Sequence, residues 1–231
     1  MDFIALATDY DGTIAHDGHV DVPTIGALER LRESGRRLIL VTGRVLPELR
    51  ETFSRLDLFE RVIVENGGVL VNPATGEERM LASAPPLEFA TRLREAGVAP
   101  LSLGRVIVAT WEPFETIILK TIHDFGLELQ VVFNKGAVMV LPSGVNKATG
   151  LTAALKELDI APANCVGIGD AENDHAFLEM CGCSVAVANA LPAVKDRATI
   201  VTRGDHGAGA AEVIERLLAN DLAEVARRRP T

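Results

Sequence analysis

The chain is poor in cysteine, and Cys165, Cys181 and Cys183 form an odd set without zinc-ligand partners nearby. Free buried thiols in a reducing compartment are the simplest account, and Cys181-Gly182-Cys183 is too close for a disulfide or a CxxC redox pair. No apolar stretch reaches the roughly 20 residues of a membrane span. A basic leader with a cleavage site is also missing, so the expectation is a cytoplasmic protein with no membrane attachment. Positive charge is in deficit, with 23 Lys and Arg against 32 Asp and Glu and a net charge of −9. A nucleic-acid backbone would be repelled, yet a small phosphorylated ligand can still be held by a few local donors. There is no GxxxxGK[ST] and hence no P-loop, and no internal repeat or low-complexity tract.

What is present suits a soluble α/β protein. At 231 residues and 48% hydrophobic content, the chain has material for one large domain or two modest ones. Short apolar runs at 3–8, 37–41, 61–64, 165–168, 184–188 and 199–202 alternate with helical patterns at 22–34, 46–56, 151–158, 171 onward and 210–218. That rhythm indicates βαβ units around a parallel sheet. Residues 69–81 read as a hairpin. Between Ala84-Pro85-Pro86 and Pro142-Ser143-Gly144 the order changes to α-β-α-β-β, with Asn134-Lys135-Gly136 as a hairpin turn. This defines a small α+β insert at 83–142 in a core of 1–82 and 143–220, with a hinge at each junction. Residues 221–231, ending in Arg227-Arg228-Arg229-Pro230, read as a solvated tail or a linker toward a fusion partner.

The chemistry gathers at the ends of the apolar runs. Asp9-Tyr10-Asp11-Gly12-Thr13 leaves the first run, and side chains two apart on a strand share a side. Two carboxylates so placed repel unless a proton or a cation intervenes, and hard oxygens suit Mg²⁺. Thr42-Gly43 and Asp170 also follow apolar runs, and in an open parallel sheet those ends share one edge, where ligands bind. Asp9 is a candidate nucleophile toward phosphorus. Asp11 is a candidate general acid and then base. Thr42 offers a hydroxyl, with its own or the Gly43 N–H, to a phosphoryl oxygen, and Lys147 a point charge. Asp170, Asn173 and Asp174 lie three and four apart and so near one another. Taken singly, each of these is an ordinary turn, cap or surface lysine. Their joint occurrence in this order outweighs that.

These motifs resemble the haloacid dehalogenase superfamily of phosphohydrolases across essentially the whole chain. Asp9-Tyr10-Asp11-Gly12-Thr13 is similar to its first motif, Val41-Thr42-Gly43-Arg44 to its second, Lys147 to its third and Gly169-Asp170-Ala171-Glu172-Asn173-Asp174 to its fourth. Glu65-Asn66-Gly67-Gly68 and the insert are similar to the Cof-like subclass IIB with a C2-type cap. The short cap resembles the compact phosphoglycolate and sucrose-phosphate phosphatase types. The resemblance implies a Rossmann-like core and Mg²⁺ held by the Asp9 carboxylate, the Asp11 backbone carbonyl and the Asp170 carboxylate, with Asp174 as a direct or water-mediated ligand. It places Thr42, Lys147 and Asn173 on the phosphate, with a small phosphorylated metabolite as substrate. A phosphomutase, or a regulatory module that keeps the site, is the competing expectation.

Other residues carry weaker expectations. His16, His19, His123, His175 and His206 read as surface histidines. Trp111, Glu112, Phe114 and Glu115 either face the crevice or build the cap core, and Arg44 and Arg105 are candidates to meet an acidic substrate.

Overall fold

The computed structural model describes residues 1–225. An eight-stranded sheet runs in the order β12-β11-β10-β1-β2-β3-β4-β5. Its strands are β1 (Ala5–Asp9), β2 (Arg37–Val41), β3 (Arg61–Val64), β4 (Val69–Asn72), β5 (Glu77–Met80), β10 (Cys165–Gly169), β11 (Cys183–Ala186) and β12 (Ile200–Val201). All pairings are parallel except those of the β4–β5 hairpin. The central strands are short apolar runs buried along almost their whole length, as parallel strands covered on both faces require. Strand β1 pairs with β2 on one side and β10 on the other, so the order reverses at β1. Its carboxyl end is therefore a topological switch point, where a crevice opens.

Helices α1 (Val22–Glu33) and α8 (His206–Asn220) pack on each other, as do α5 (Lys147–Glu157) and α6 (His175–Met180). Asp21 caps α1 by accepting from the Thr24 N–H, with proline in the first turn. Helix α8 starts four residues before its apolar periodicity does. Gly207 and Gly209 belong to it, and a Cβ on Gly207 would run into Thr24 of α1. Close packing, which selects glycine against helix propensity, hid that turn. Helix α2 (Leu46–Thr52) is shorter than its pattern because Phe53 turns extended and inward, 5.6 Å from the Tyr10 ring and 6.2 Å from that of Phe59.

The insert holds α3 (Leu87–Glu95), α4 (Glu115–Asp124) and an antiparallel sheet in the order β6-β7-β9-β8. Its strands are β6 (Ser102–Leu103), β7 (Val108–Trp111), β8 (Leu129–Asn134) and β9 (Ala137–Pro142). Phe89, Leu93, Val98, Ile118, Val138 and Val140 form a small core of its own. Val106, Ile107, Met139 and Leu141 join the main core instead, so the insert's sheet is packed down onto the rest of the molecule. The two-residue β6 is too short to give a periodic signal. At the other end, the solvated-tail expectation fails at its first two positions. Leu222 is buried, and Asp221 ion-pairs with Arg36 at 2.9 Å. The arginine run at 227–229 lies outside the described residues. Among the described residues no helix is long and apolar enough to cross a membrane.

Candidate active site

Asp9 is the last residue of β1, and Asp170 follows β10 directly. The pairing of these two strands brings residues 161 positions apart to one corner. Asp174 completes it from the 3-10 turn Glu172–Asp174. One oxygen of each of the three carboxylates lies within 4.8 Å of the others, and all three residues are buried. Thr13 ties two of them together, its hydroxyl 3.1 Å from Asp9 Oδ2 and 3.0 Å from Asp170 Oδ1.

Lys147 enters from the start of α5. Asn146 caps that helix, accepting from the Thr149 N–H while Thr149 returns a bond to the Asn146 N–H. The cap is held against Gly67, whose φ of +105° and lack of a side chain let the Asn146 carbonyl approach. From there Lys147 Nζ lies 2.5 Å from Asp9 Oδ1 and 2.6 Å from Asp174 Oδ1, with 1% of the residue exposed. Burial alone would lower its pKa, but Asp174 and Asp9 more than offset that and raise it. Burial pushes the Asp9 carboxyl well above its usual range; Lys147 pulls it back, while Asp174 and Asp170 push it further up. Asp170 is raised too, by burial first, against the opposing pull of Lys135.

Asp11 stands apart from the triad. Its carboxylate is held by Arg44, from Nε to Oδ2 and Nη2 to Oδ1, both at 2.7 Å. The Thr42 hydroxyl oxygen accepts from the Arg44 N–H at 3.2 Å, and its backbone N–H is committed to the Ile63 carbonyl. The hydroxyl hydrogen is thus the donor that Thr42 keeps at the site. Asn173 donates to Asn66 Oδ1 at 3.0 Å, and Asn173 Oδ1 and Asn66 Nδ2 are buried without a hydrogen-bond partner among the described residues.

Residues 6–89 and 105–214 match the haloacid dehalogenase-like hydrolases. The chain belongs to this family. It is 31% identical over 223 residues to a phosphoglycolate phosphatase of Methanothermobacter thermautotrophicus, covering 93% of this chain and 98% of that protein. A phosphoglycolate phosphatase of Haloarcula marismortui is 31% identical over 218 residues, covering 90% of this chain and 95% of the relative. Among solved structures, a haloacid dehalogenase-like hydrolase from Bacteroides thetaiotaomicron superposes with a TM-score of 0.78 at 19% identity, over 93% of this chain and 99% of its own. The motif resemblance and the α/β core with a small sheet cap are borne out together.

The donor set of this hydrolase fits a hard divalent cation. Three buried carboxylates face one another with a single buried lysine among them, and carboxylate oxygens are the ligands Mg²⁺ prefers. Asp9, Asp170 and Asp174 would hold such an ion.

Sequence reasoning missed three contacts. Lys135, in the turn of the cap hairpin, reaches across to the carboxylate of Asp170. Arg44, a candidate to meet an acidic substrate, pairs with Asp11 here, a contact its place in the chain does not announce. Glu65, 3% exposed, accepts three backbone N–H groups of the cap, from Arg105 at 2.9 Å, Val106 at 2.7 Å and Ile107 at 3.0 Å. The Glu65-Asn66-Gly67-Gly68 motif after a buried strand marks Glu65 as notable but does not say what its carboxylate accepts. Arg105 itself pairs with Glu78 at 3.0 Å. Trp111 is exposed and lines a cleft with Gly43, Arg44, Glu48 and Thr110, whereas Phe114 packs on the cap core. The rings of His16 and His206 meet at a tilt of 54°, with centroids 4.5 Å apart.

Proposed function

We propose that this hydrolase is a Mg²⁺-dependent phosphatase that releases phosphate from a small phosphorylated metabolite, of the phosphoglycolate or sugar-phosphate class, through an aspartyl-phosphate on Asp9. The observation that supports it most is Asp9 itself. It is a buried strand-end carboxylate oriented by Lys147 and Thr13 and faced by two further acids. A nucleophile held this way is aimed before substrate arrives, and positioning is most of what phosphoryl transfer asks of a protein.

In the first step an Asp9 oxygen attacks phosphorus and the ester P–O bond breaks. Asp11, turned from Arg44 and carrying a proton, gives that proton to the leaving alcohol oxygen. In the second, Asp11 takes a proton from a water whose oxygen attacks phosphorus, the Asp9–phosphorus bond breaks, and inorganic phosphate leaves. The Thr42 hydroxyl, the Gly43 backbone and Asn173 orient the phosphoryl oxygens, and Lys147 offsets their charge. Bound Mg²⁺ supplies charge neutralisation to the transferring group. In this reading residues 83–142 act as the cap over a core of 1–82 and 143–220.

A panel of phosphorylated metabolites, each assayed for phosphate release with Mg²⁺ and with a chelator, tests the proposal. Steady release without a bisphosphate activator is expected and would separate a phosphatase from a mutase. Release from no ester above the chelated blank would end the enzymatic reading. A biological role that survives Asp9→Asn would favour a regulatory module.

A further inference from the structure

Lys135 occupies the tip of the β8–β9 hairpin, where Asn134 pairs with Ala137 and leaves a two-residue turn. Lys135 and Gly136 both have positive φ, 48° and 85°, the pattern of a tight turn whose twist suits a hairpin. Strand β8 packs against the Glu172–Asp174 turn, which brings the tip over the crevice. There the ammonium of Lys135 donates to Asp170 Oδ2. It also lies over the backbone of Gly12, where an added Cβ would sit 2.6 Å from Nζ. Among the described residues no other cap side chain is ion-paired with the acidic triad.

Charge makes this lysine surplus to a metal site. Three ionised carboxylates carry three negative charges and Lys147 cancels one, so a divalent cation alone balances the rest. Lys135 sits on a carboxylate that would hold the cation, and like charges at that range repel. The Lys135 side chain is 46% exposed on a flexible four-carbon stem, so it is free to move off. Lys147 and Thr42 belong to the core and, in the proposed mechanism, address the phosphoryl group. Lys135 comes from the cap, the wall against which the alcohol part of a substrate has to lie.

We propose that Lys135 is the specificity-determining residue of the crevice: displaced from Asp170 when the cation binds, its ammonium takes the carboxylate of a carboxylated phosphate ester. This rests on the reading of the crevice as a phosphate-ester site, but its test does not need turnover.

Calorimetric titration of wild type and Lys135→Met with 3-phosphonopropionate and with propylphosphonate, both in Mg²⁺, compares ligands that differ in the carboxylate. Loss of a charge-assisted contact should weaken 3-phosphonopropionate about tenfold to a hundredfold. Propylphosphonate should change by less than about twofold, within the range of an ordinary surface substitution. Lys135→Arg should keep the preference for the carboxylated ligand. Titration of Mg²⁺ alone into the ligand-free proteins should show tighter binding to Lys135→Met, by about twofold to fivefold, because a half-exposed competing ion pair is gone. Equal weakening of both phosphonates would assign Lys135 to the phosphoryl group and overturn the proposal, as would no weakening of either. Unchanged or weaker Mg²⁺ binding would overturn the displacement. If binding behaves as expected while no ester is hydrolysed, the phosphatase reading fails and the role of Lys135 stands.

Discussion

Arg44 clasps Asp11 with a two-point fork, each hydrogen bond 2.7 Å long. Such a bidentate pair fixes a carboxylate in plane, and in the proposed mechanism Asp11 has to leave it before it can reach a leaving group. Asp11→Asn removes the proton carrier and leaves the triad intact. Its kcat should fall by about 10²- to 10⁴-fold, the usual contribution of a positioned acid–base group. Its melting temperature should shift by only a few degrees, because an ion pair whose carboxylate side chain is 44% exposed contributes about 1 kcal/mol at most. Rates on the best ester of the panel, beside melting curves, check both halves. A kcat equal to wild type would remove Asp11 from the chemistry.

Lys147 is the only cation within the buried corner that also holds Asp9, at 2.5 Å among the described residues. In metal-free protein Lys147→Met leaves Asp9 and Asp174 facing each other without it. Breaking a buried pair from one side costs about 3–5 kcal/mol, since the remaining charge stays desolvated. Urea denaturation in chelator should show that loss, and saturating Mg²⁺ should recover part of it by binding only the folded state. A loss under about 1 kcal/mol would mean that the acids shed their charge at no cost, and the corner would not be the electrostatic trap described.

These two residues also show what sequence makes visible. Asp9, Thr42 and Asp170 each end an apolar run, and a parallel sheet gathers such ends at one edge whatever their separation. Lys147 follows an N-cap asparagine, a local signal. Lys135 has no such signal: in sequence it is a turn residue before a glycine, and its partner follows a strand of the other sheet, 35 positions on. Arg44 and Glu65 sat inside recognised motifs, yet their partners are fixed by tertiary packing that no periodicity reports. The missed turn of α8 is a similar case, since Gly207 and Gly209 matter for what they leave out.

The acids of the corner also set a pH dependence. The folded-state pKa of Asp170 is raised above its ordinary 3.8, chiefly by burial. From 3.8 up to that raised value the folded protein binds more protons than the unfolded chain, so this contribution to stability falls as pH rises. Asp170→Asn cannot titrate. The stability of metal-free wild type minus that of the variant should therefore decline as pH climbs from 3.8 through the raised pKa. Asp9, which Asp170 pushes up, is relieved in the variant and adds to the decline in the same direction. Asp57 and Glu157, whose pKa values are lowered by their arginine partners, slope the other way but are common to both proteins and cancel. Urea titrations in chelator across that range measure the difference. A difference that is flat or rises with pH would contradict the burial argument.

Glu65 links the cap to the core. It sits just after β3 with a φ of 55°, and its carboxylate accepts the N–H groups of Arg105, Val106 and Ile107. Gly104 permits the approach, because a Cβ there would come within 2.5 Å of the carboxylate. Val106 and Ile107 are buried in the main core, so water cannot replace the lost acceptor. Each buried donor left unpaired costs about 1–3 kcal/mol, so Glu65→Ala should destabilise by about 3 kcal/mol or more. Glu65→Gln keeps one acceptor oxygen but turns an amide donor toward other donors, and should fall between. The loss should be local before it is global, since the small core around Phe89 and Ile118 does not depend on this contact. Limited proteolysis should therefore cut Glu65→Ala between residues 96 and 107 under conditions that leave wild type whole, and the emission of Trp111, the single tryptophan, should shift. If Glu65→Ala resists both urea and protease like wild type, the cap is held by its apolar face alone and the carboxylate is dispensable.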